Sequence, residues 1–141
     1  MFFMGTFTPK LDDKGRLILP AKFRERLEDG VVVTRGQEKC LVVWPDDVFA
    51  AEAARVMAQP REMRGTRDVT RSFFAGADQV VPDKQGRIAI QPLLRAYAGL
   101  EKDVAVIGVG DRIEIWDQAK WLAYDEETAE KFSDLDAAPQ P

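Results

Sequence analysis

Two five-residue stretches of the chain combine an aspartate, a glycine and an arginine in the same order and at the same spacing. They are residues 12–16, Asp-Asp-Lys-Gly-Arg, and residues 83–87, Asp-Lys-Gln-Gly-Arg, separated by a shift of 71. The planar guanidinium of arginine offers a fork of donors that fits a phosphate or the O6/N7 edge of guanine. A carboxylate four residues earlier can hold that fork in one orientation, and glycine permits a tight turn between them. These residue types therefore suit the recognition of phosphates or bases.

The first stretch is the more basic of the two. Its candidate phosphate-binding or base-binding residues are Lys10, Lys14, Gly15, Arg16 and Lys22. Gly15 would let the backbone approach a ligand closely, and Asp12 would orient Arg16 without touching the ligand. The alternative is structural: Asp12 and Arg16 form a salt bridge that pins two strands together, and Gly15 only supplies a positive φ.

The second stretch keeps the turn but loses most of its cations. Asp83, Gly86 and Arg87 repeat the structural residues, while the positions of the three lysines become valine, glutamine and leucine. Lys84 compensates in part. We therefore expect Arg87 to pair with Asp83 inside the core and to be a lesser candidate for ligand contact.

Further cations lie on the two short predicted helices. Arg24 and Arg26 are secondary phosphate candidates on the first helix. Arg24 recurs at the same shift as Arg95, which favours a structural ion pair for that position. These arginines are therefore expected to matter less than Arg16.

Catalysis has little support in the sequence. The chain has no histidine, no phosphate-binding glycine-lysine loop and no Cys/His metal cluster. The single cysteine, Cys40, sits in an apolar run and is expected to be a buried small hydrophobe. Asp12 and Asp13 are adjacent, so on a strand they face opposite ways and do not converge. We expect no enzyme activity, no cofactor, no metal and no small-molecule substrate.

Composition and charge limit the setting in which the protein works. Of 141 residues, 45% are hydrophobic and 31% charged, which is typical of a soluble globular protein. No run is long enough to span a membrane, the apolar start is too short for a signal peptide, and one cysteine fits a reducing cytoplasm. Residues 1–71 carry 13 basic against 11 acidic residues, and residues 72–141 carry 7 against 13, so the halves have net charges of +2 and −6. A bound polyanion is therefore expected on the first half.

The repeat extends beyond the two stretches. Residues 2–27 and 73–98 share seven identities at the shift of 71, which indicates an internal duplication. Apolar patterning predicts the same order in each half: strand, turn, strand, short helix, strand, strand, helix. Two halves of this size are marginal alone, so we expect them to share a core or to pack against other subunits.

The predicted organisation has four parts. They are a first domain over 1–59, an arginine-rich linking helix over 60–75, a second domain over 76–130 and a disordered tail over 131–141. The linking helix carries a row of arginines at steps of three and four: Arg61, Arg64, Arg67 and Arg71. This row is open to three interpretations, namely a solvated face, a subunit contact with the acidic second half, or a DNA contact.

Taken together, these residues resemble the MraZ family. The similarity rests on the doubled Asp-x-x-x-Arg motif, the Phe-Gly openings, the Trp44-Pro45 strand end, the arginine-rich linker and the Glu114-Ile115-Trp116-Asp117 run. The resemblance implies a mainly β fold with short helices (α+β), built from two tandem AbrB/SpoVT-like β-barrel-type domains with pseudo-twofold symmetry. It also implies a non-enzymatic transcriptional regulator, cytoplasmic and nucleoid-associated, that forms a closed homo-oligomeric ring.

The partner implied by the resemblance is double-stranded promoter DNA with direct repeats. The promoter would be that of the division and cell-wall gene cluster, including the regulator's own gene. With this resemblance, DNA contact becomes the favoured role of the first stretch. Two alternatives remain. One is an oligomeric interaction scaffold in which every Asp–Arg pair is structural. The other is an AbrB-type antitoxin, disfavoured because both halves repeat the whole module.

Overall fold

The computed structural model describes residues 1–135. Its eight strands are β1 (Thr6–Phe7), β2 (Arg16–Ile18), β3 (Val31–Arg35), β4 (Leu41–Pro45), β5 (Asp78–Val80), β6 (Arg87–Ala89), β7 (Val104–Gly108) and β8 (Ile113–Asp117). Its helices are α1 (Arg24–Leu27), α2 (Asp46–Met57), α3 (Arg64–Ala75), α4 (Pro92–Ala98) and α5 (Gln118–Asp134). Two short 3-10 turns cover Ala21–Phe23 and Gln37–Lys39. The expected α+β class, mainly strands with short helices, is confirmed.

The strands of the two halves are interleaved. Six of them form an antiparallel sheet in the order β1-β7-β8-β4-β3-β5, and β2 and β6 form a separate two-stranded ribbon. If each strand is replaced by its counterpart in the other repeat, the same order results, read from the opposite edge of the sheet. This is what pseudo-twofold symmetry requires. Among residues 1–135 the sheet is not closed into a barrel, and β1 of the first half pairs with β7 of the second. The two repeats therefore share one hydrogen-bonded body.

The ribbon lies on the pseudo-twofold axis. Leu17 of β2 pairs with Ile88 of β6, and these two residues are related by the repeat shift of 71. Their side chains are buried, whereas Ile18 on the same ribbon is 47% exposed. Beyond the ribbon, Leu19 N–H donates to Gly86 O and Ile90 N–H donates to Gly15 O, each at 2.9 Å. One face of the ribbon is thus anchored in the core and the other faces outward.

A single core joins the halves. Nineteen buried apolar residues form one cluster, drawn from the ribbon, the inner face of the sheet, and the short helices α1 and α4. Phe23 of the first short helical segment packs edge-on against Phe3 and Phe7, with ring centroids 5.1 and 5.2 Å apart. The outer face of the sheet is covered by α2, α3 and α5. The order of layers is therefore ribbon with α1 and α4, then sheet, then the three longer helices.

Two helix boundaries differ from the sequence-based expectation. The helix α3 begins at Arg64, so Arg61 lies in the preceding turn, where its carbonyl accepts a hydrogen bond from Arg67 Nη1. The helix α5 runs to Asp134, four residues into the segment predicted as a disordered tail over 131–141. Ala129, Glu130 and Lys131 are good helix formers, and neither glycine nor proline interrupts residues 118–134. The remainder of the predicted disordered tail, residues 136–141, lies outside the described residues.

Cys40 is buried, as its apolar surroundings predict. It lies beneath Trp116, Trp121 and Tyr124, and its Sγ–H donates to Gln37 O at 3.2 Å. Burial raises the pKa of the Cys40 thiol to about 12, with the nearby carboxylates adding to the effect. A thiol that stays protonated at neutral pH is a poor nucleophile. Cys40 therefore belongs to the packing of the outer layer.

Within residues 1–135, no helix combines the length and the apolar character needed to cross a bilayer.

Candidate nucleic-acid interface

The first loop is organised by the carboxylate of Asp12. Asp12 Oδ1 accepts hydrogen bonds from the backbone N–H groups of Lys14 and Arg16, each at 2.9 Å. Asp12 Oδ2 accepts from Arg16 Nε at 2.7 Å. One side chain therefore satisfies two loop amides and fixes the direction of the guanidinium. Arg16 Nη1 and Nη2 have no acceptor among the described residues, so both remain free to donate to a ligand.

The second loop reproduces this geometry atom for atom. Asp83 Oδ1 accepts from the N–H groups of Gln85 and Arg87 at 2.9 Å, and Asp83 Oδ2 accepts from Arg87 Nε at 2.8 Å. The expectation that this pair lies inside the core is wrong, because the side chains of Arg87 and Asp83 are 26% and 40% exposed. The apolar residues that precede and follow the motif misled the prediction. They fill the core while the loop itself projects from it.

Both loops face the same way. In an antiparallel ribbon, directly opposed residues share a face, and Arg16 is opposite Ala89 while Ile18 is opposite Arg87. Since Leu17 and Ile88 point into the core, these four residues form the outward face of the ribbon. Two arginines, each locked by its own aspartate, therefore stand on one surface and are related by the pseudo-twofold axis.

Hydrogen bonds to the loop amides control the titration of the two aspartates. The backbone N–H of Arg16 holds the pKa of Asp12 below its usual value of 3.8, and the Arg16 side chain lowers it further. The backbone N–H and side chain of Arg87 lower the pKa of Asp83 in the same way. Both carboxylates are therefore ionised at neutral pH, the state in which they can hold the guanidinium groups.

Two further arginines reach the loops from the opposite half. The glycine at the tip of each loop has a positive φ, 73° for Gly15 and 78° for Gly86. A Cβ on Gly15 would overlap the guanidinium of Arg95, and a Cβ on Gly86 would lie 2.6 Å from Nε of Arg24. The positive φ favours glycine at both positions, and a Cβ there would also displace the arginine side chain beside it.

The expected ion pair at Arg24 and Arg95 is wrong for the described residues. Neither arginine has a carboxylate within 4.0 Å anywhere in residues 1–135. Their recurrence at the shift of 71 was a sound signal of a shared role. The identity of the partner could not be found in the sequence, because each arginine contacts the loop of the other repeat. Arg26, by contrast, donates from Nη2 to both oxygens of Asp47, at 3.0 and 3.1 Å.

The three lysines named from sequence have different surroundings. Lys14 is exposed within the first loop, and Lys22 is exposed on the 3-10 turn immediately before Arg24. Lys10 lies 3.8 Å from Asp103, with both side chains more than half exposed. An exposed pair of this kind contributes little to stability, but it places a carboxylate beside the cation. Lys14 and Lys22 are thus the freer of the three to contact a phosphate.

The linking arginines do not share the face of the loops. The helix α3 packs on β3 in the outer layer of the molecule, across the sheet from the ribbon. Arg64, Arg67 and Arg71 are exposed there. A duplex lying on the ribbon would therefore be separated from these arginines by the body of the protein.

The described residues form no other arrangement that suggests chemistry. No group of three or more His, Cys, Asp or Glu side chains in residues 1–135 is placed to hold a metal ion. A groove of about 690 Å³ lies among β3, β4, α2 and α3, with Arg35, Arg112, Trp44 and Tyr97 along it. None of its lining residues comes from either loop.

The chemistry that the ribbon offers is the recognition of a nucleic acid. Its outward face presents two guanidinium forks on a rigid scaffold, with exposed Ile18 and Ala89 between them. A two-stranded ribbon fits the major groove of B-DNA, where such forks match guanine edges and apolar groups match the thymine methyl. Phosphate contacts from the flanking lysines would add affinity without sequence information.

Comparison with known proteins identifies the family of the chain. The chain matches the family described as "MraZ protein, putative antitoxin-like" twice, over residues 2–72 and 73–140. The protein named Transcriptional regulator MraZ of a Nocardioides species is 60% identical over 139 residues, 99% of this chain and 96% of that protein. The proteins of the same name from Kineococcus radiotolerans and Salinispora tropica are 52% and 50% identical, covering 94% and 99% of this chain and 92% and 98% of their own lengths. The chain belongs to the MraZ family, as its motifs predicted.

The aspartate-locked loops predict a specific dependence of stability on pH. A carboxylate whose pKa is depressed by folding stabilises the protein above its unfolded-state pKa, and this stabilisation is lost as pH falls through the folded-state value. The double variant Asp12→Asn/Asp83→Asn should therefore melt below the wild type at neutral pH. The difference should shrink only below the ordinary pKa of 3.8. Thermal melting followed by circular dichroism from about pH 6 to about pH 2 measures it.

The matched control is Asp13→Asn. The Asp13 carboxylate is exposed and accepts no hydrogen bond from residues 1–135. This variant should melt with the wild type at every pH. A melting difference for the double variant that persists unchanged to the lowest pH would contradict the role given to the two carboxylates.

Proposed function

We propose that this protein is a sequence-specific DNA-binding transcriptional regulator that reads DNA with the β2–β6 ribbon. The observation that carries the proposal is the presence of two equivalent arginines, Arg16 and Arg87, on one outward face. Each is oriented by an aspartate that also closes its loop. Free terminal donors held in a fixed direction are what base recognition requires. Family membership and the name of the relatives support the same function.

Each residue of the site has a distinct role in this proposal. Arg16 and Arg87 donate to base edges in the major groove, with Lys14 and Lys22 on adjacent phosphates. Gly15 and Gly86 are buried beside Arg95 and Arg24, so they turn the loops and leave contact with DNA to the side chains around them. Asp12 and Asp83 position the arginines and do not touch DNA. Lys10 contributes least, because Asp103 already lies beside it.

The second loop is a full participant. The sequence made Arg87 a lesser candidate because the neighbouring lysines are missing. Equivalent hydrogen bonds in the two loops support comparable contributions from Arg87 and Arg16. Lys84 is exposed in the second loop and takes the place of Lys14 as a phosphate contact.

The proposed target is promoter DNA with short direct repeats, located upstream of the division and cell-wall gene cluster that includes the regulator's own gene. The protein would then act at the nucleoid in the cytoplasm. Direct repeats follow from the proposed mode of assembly. Copies joined head to tail all keep the same orientation along a duplex, whereas copies joined by a twofold axis would require a palindrome.

Replacing Arg16 tests the proposed function. Arg16→Gln should weaken binding to the DNA upstream of the protein's own gene by about fivefold to 150-fold per contact, the value of one bidentate arginine–guanine pair. Arg87→Gln should give a loss of similar size, and the double variant should lose sequence-specific binding. Gel retardation, with oligomer mass measured on the same sample, provides the readout.

Arg55→Gln is the matched control for these variants. Arg55 pairs with Glu52 on α2, in the layer of the molecule remote from the ribbon. Its replacement should leave DNA affinity unchanged. Folded Arg16→Gln protein of normal mass that binds the promoter as tightly as the wild type would contradict the proposal.

The second candidate function is an interaction scaffold in which both Asp–Arg pairs only close their loops. It is favoured by one observation: each aspartate already accepts three hydrogen bonds within its own loop. The two candidates differ in a simple respect. A scaffold would fail to retard any DNA at low salt, where nonspecific binding by a cationic surface is strongest. An antitoxin, the further alternative, would capture a partner protein and need not require Arg16 for it.

We also propose that the protein assembles head to tail into a closed ring. The helix α3 packs on β3 and α5 packs on β7 and β8, so the two helices lie on the same outer face of the sheet but toward its opposite edges. The exposed arginines of α3 oppose in sign the acidic residues of α5, which are Asp125, Glu126, Glu127, Glu130 and Asp134. Contact between unlike surfaces of successive copies is heterologous, and such contacts form rings when the rotation between copies closes.

Charge reversal tests this contact. Arg64→Glu/Arg67→Glu should dissociate the oligomer, because like charges would then face each other across the interface. Adding Glu126→Lys/Glu130→Lys to the same chain should restore the wild-type mass by reversing both sides. Light scattering after size exclusion measures the mass. An unchanged mass for the first variant, or no rescue by the second pair, would contradict the assignment of α3 and α5 to the contact.

A further inference from the structure

We propose that Arg24 and Arg95 are additional DNA-phosphate contacts, each delivered by one half of the chain to the loop of the other half. This inference rests on the proposed function. It adds two binding residues, and it joins the two loops into one binding unit. The chemical group recognised is the backbone phosphate of a duplex lying on the ribbon.

The first arginine is held at the second loop. Arg24 begins α1 in the first half, and its Nε donates to Leu19 O at 3.0 Å. That bond turns the guanidinium toward Gly86, whose missing Cβ leaves space for Nε and Cδ of Arg24. Leu19 N–H in turn donates to Gly86 O at 2.9 Å. The position of Arg24 is therefore fixed relative to the loop that carries Arg87.

The second arginine is placed reciprocally. Arg95 lies on α4 of the second half, and its guanidinium lies against Gly15 in the space that a Cβ would occupy. The symmetry-related bond, from Ile90 N–H to Gly15 O, is also 2.9 Å. Arg95 therefore stands beside the loop that carries Arg16.

Both guanidinium groups retain free donors. Among residues 1–135, Arg24 uses only Nε in a hydrogen bond, and the side chain of Arg95 makes none. An arginine without a neighbouring carboxylate raises the local positive potential and has its donor fork available for an anion. The glycines beside them leave the space in which the two arginine side chains lie against the loops.

The crossed arrangement adds one cation to each loop. The first loop gains Arg95 beside Lys14 and Arg16, and the second gains Arg24 beside Lys84 and Arg87. Each loop is thus surrounded by three cations. A ribbon in the major groove is flanked by the two phosphate backbones, so cations at its two loop ends are placed for phosphates and not for bases.

The salt dependence of binding separates a phosphate contact from a structural role. Each phosphate contact contributes about 0.9 to the slope of log affinity against log salt concentration on B-DNA. Arg95→Gln should therefore reduce that slope by about 0.9 for each bound chain and weaken specific and nonspecific DNA alike. Arg24→Gln should do the same, while Arg24→Lys, which keeps the charge, should retain most of the slope. The measurement is fluorescence anisotropy with the promoter duplex and with a scrambled duplex at several salt concentrations.

Arg26→Gln is the matched control, since Arg26 lies on the same short helix as Arg24 but pairs with Asp47. The salt-dependence slope of this variant should equal that of the wild type.

A folded Arg95→Gln oligomer with the wild-type slope would overturn the inference. A lowered melting temperature of Arg24→Gln and Arg95→Gln, with the salt-dependence slopes unchanged, would also overturn it. That result would assign the two arginines to folding alone. Loss of binding by Arg16→Gln with no change for Arg95→Gln would reject this inference and keep the proposed function. No effect from either would reject both.

Discussion

The antiparallel pairing of β2 with β6 decides where every proposed DNA contact lies. Because Leu17 pairs with Ile88, the equivalent residue of the second repeat, the pseudo-twofold axis passes through the ribbon. A register shifted by one residue would turn Arg16 and Arg87 into the core and expose the two apolar residues. The burial of Leu17 and Ile88 therefore stabilises the fold and, through the alternation of side chains along a strand, presents both arginines to solvent on one face.

The aspartates convert this placement into a rigid site. A loop of this size leaves backbone N–H groups that must find acceptors, and Asp12 and Asp83 accept two of them each. The same carboxylates take one nitrogen of each guanidinium and leave the other two free. The structural and functional interpretations of the Asp–Arg pair thus do not exclude each other. The ion pair closes the loop, and the remainder of the arginine stays available to a ligand.

The sequence predicted the local parts of the site and missed their combination. The turn, its aspartate and its glycine depend on residues four apart, so Asp12 and Asp83 could be assigned from spacing alone. The exposure of Arg87 and the contact of Arg24 with Gly86 depend on how the two repeats interlock, and no local pattern contains that information. Comparing the repeats as separate units therefore missed that each loop is accompanied by an arginine from the other half. Likewise, the interleaving of the two halves in one sheet could not be predicted from the order of strands along the chain, because that order is the same in both halves.

The proposed function requires both loops to bind DNA together on one face. Hydrogen–deuterium exchange of the full-length oligomer, with and without its promoter duplex, measures whether they do. On DNA binding, exchange should become slower in residues 12–19 and in residues 83–90, with no change in the outer-layer helices α3 and α5. Slower exchange confined to α3, or in only one of the two loops, would contradict it.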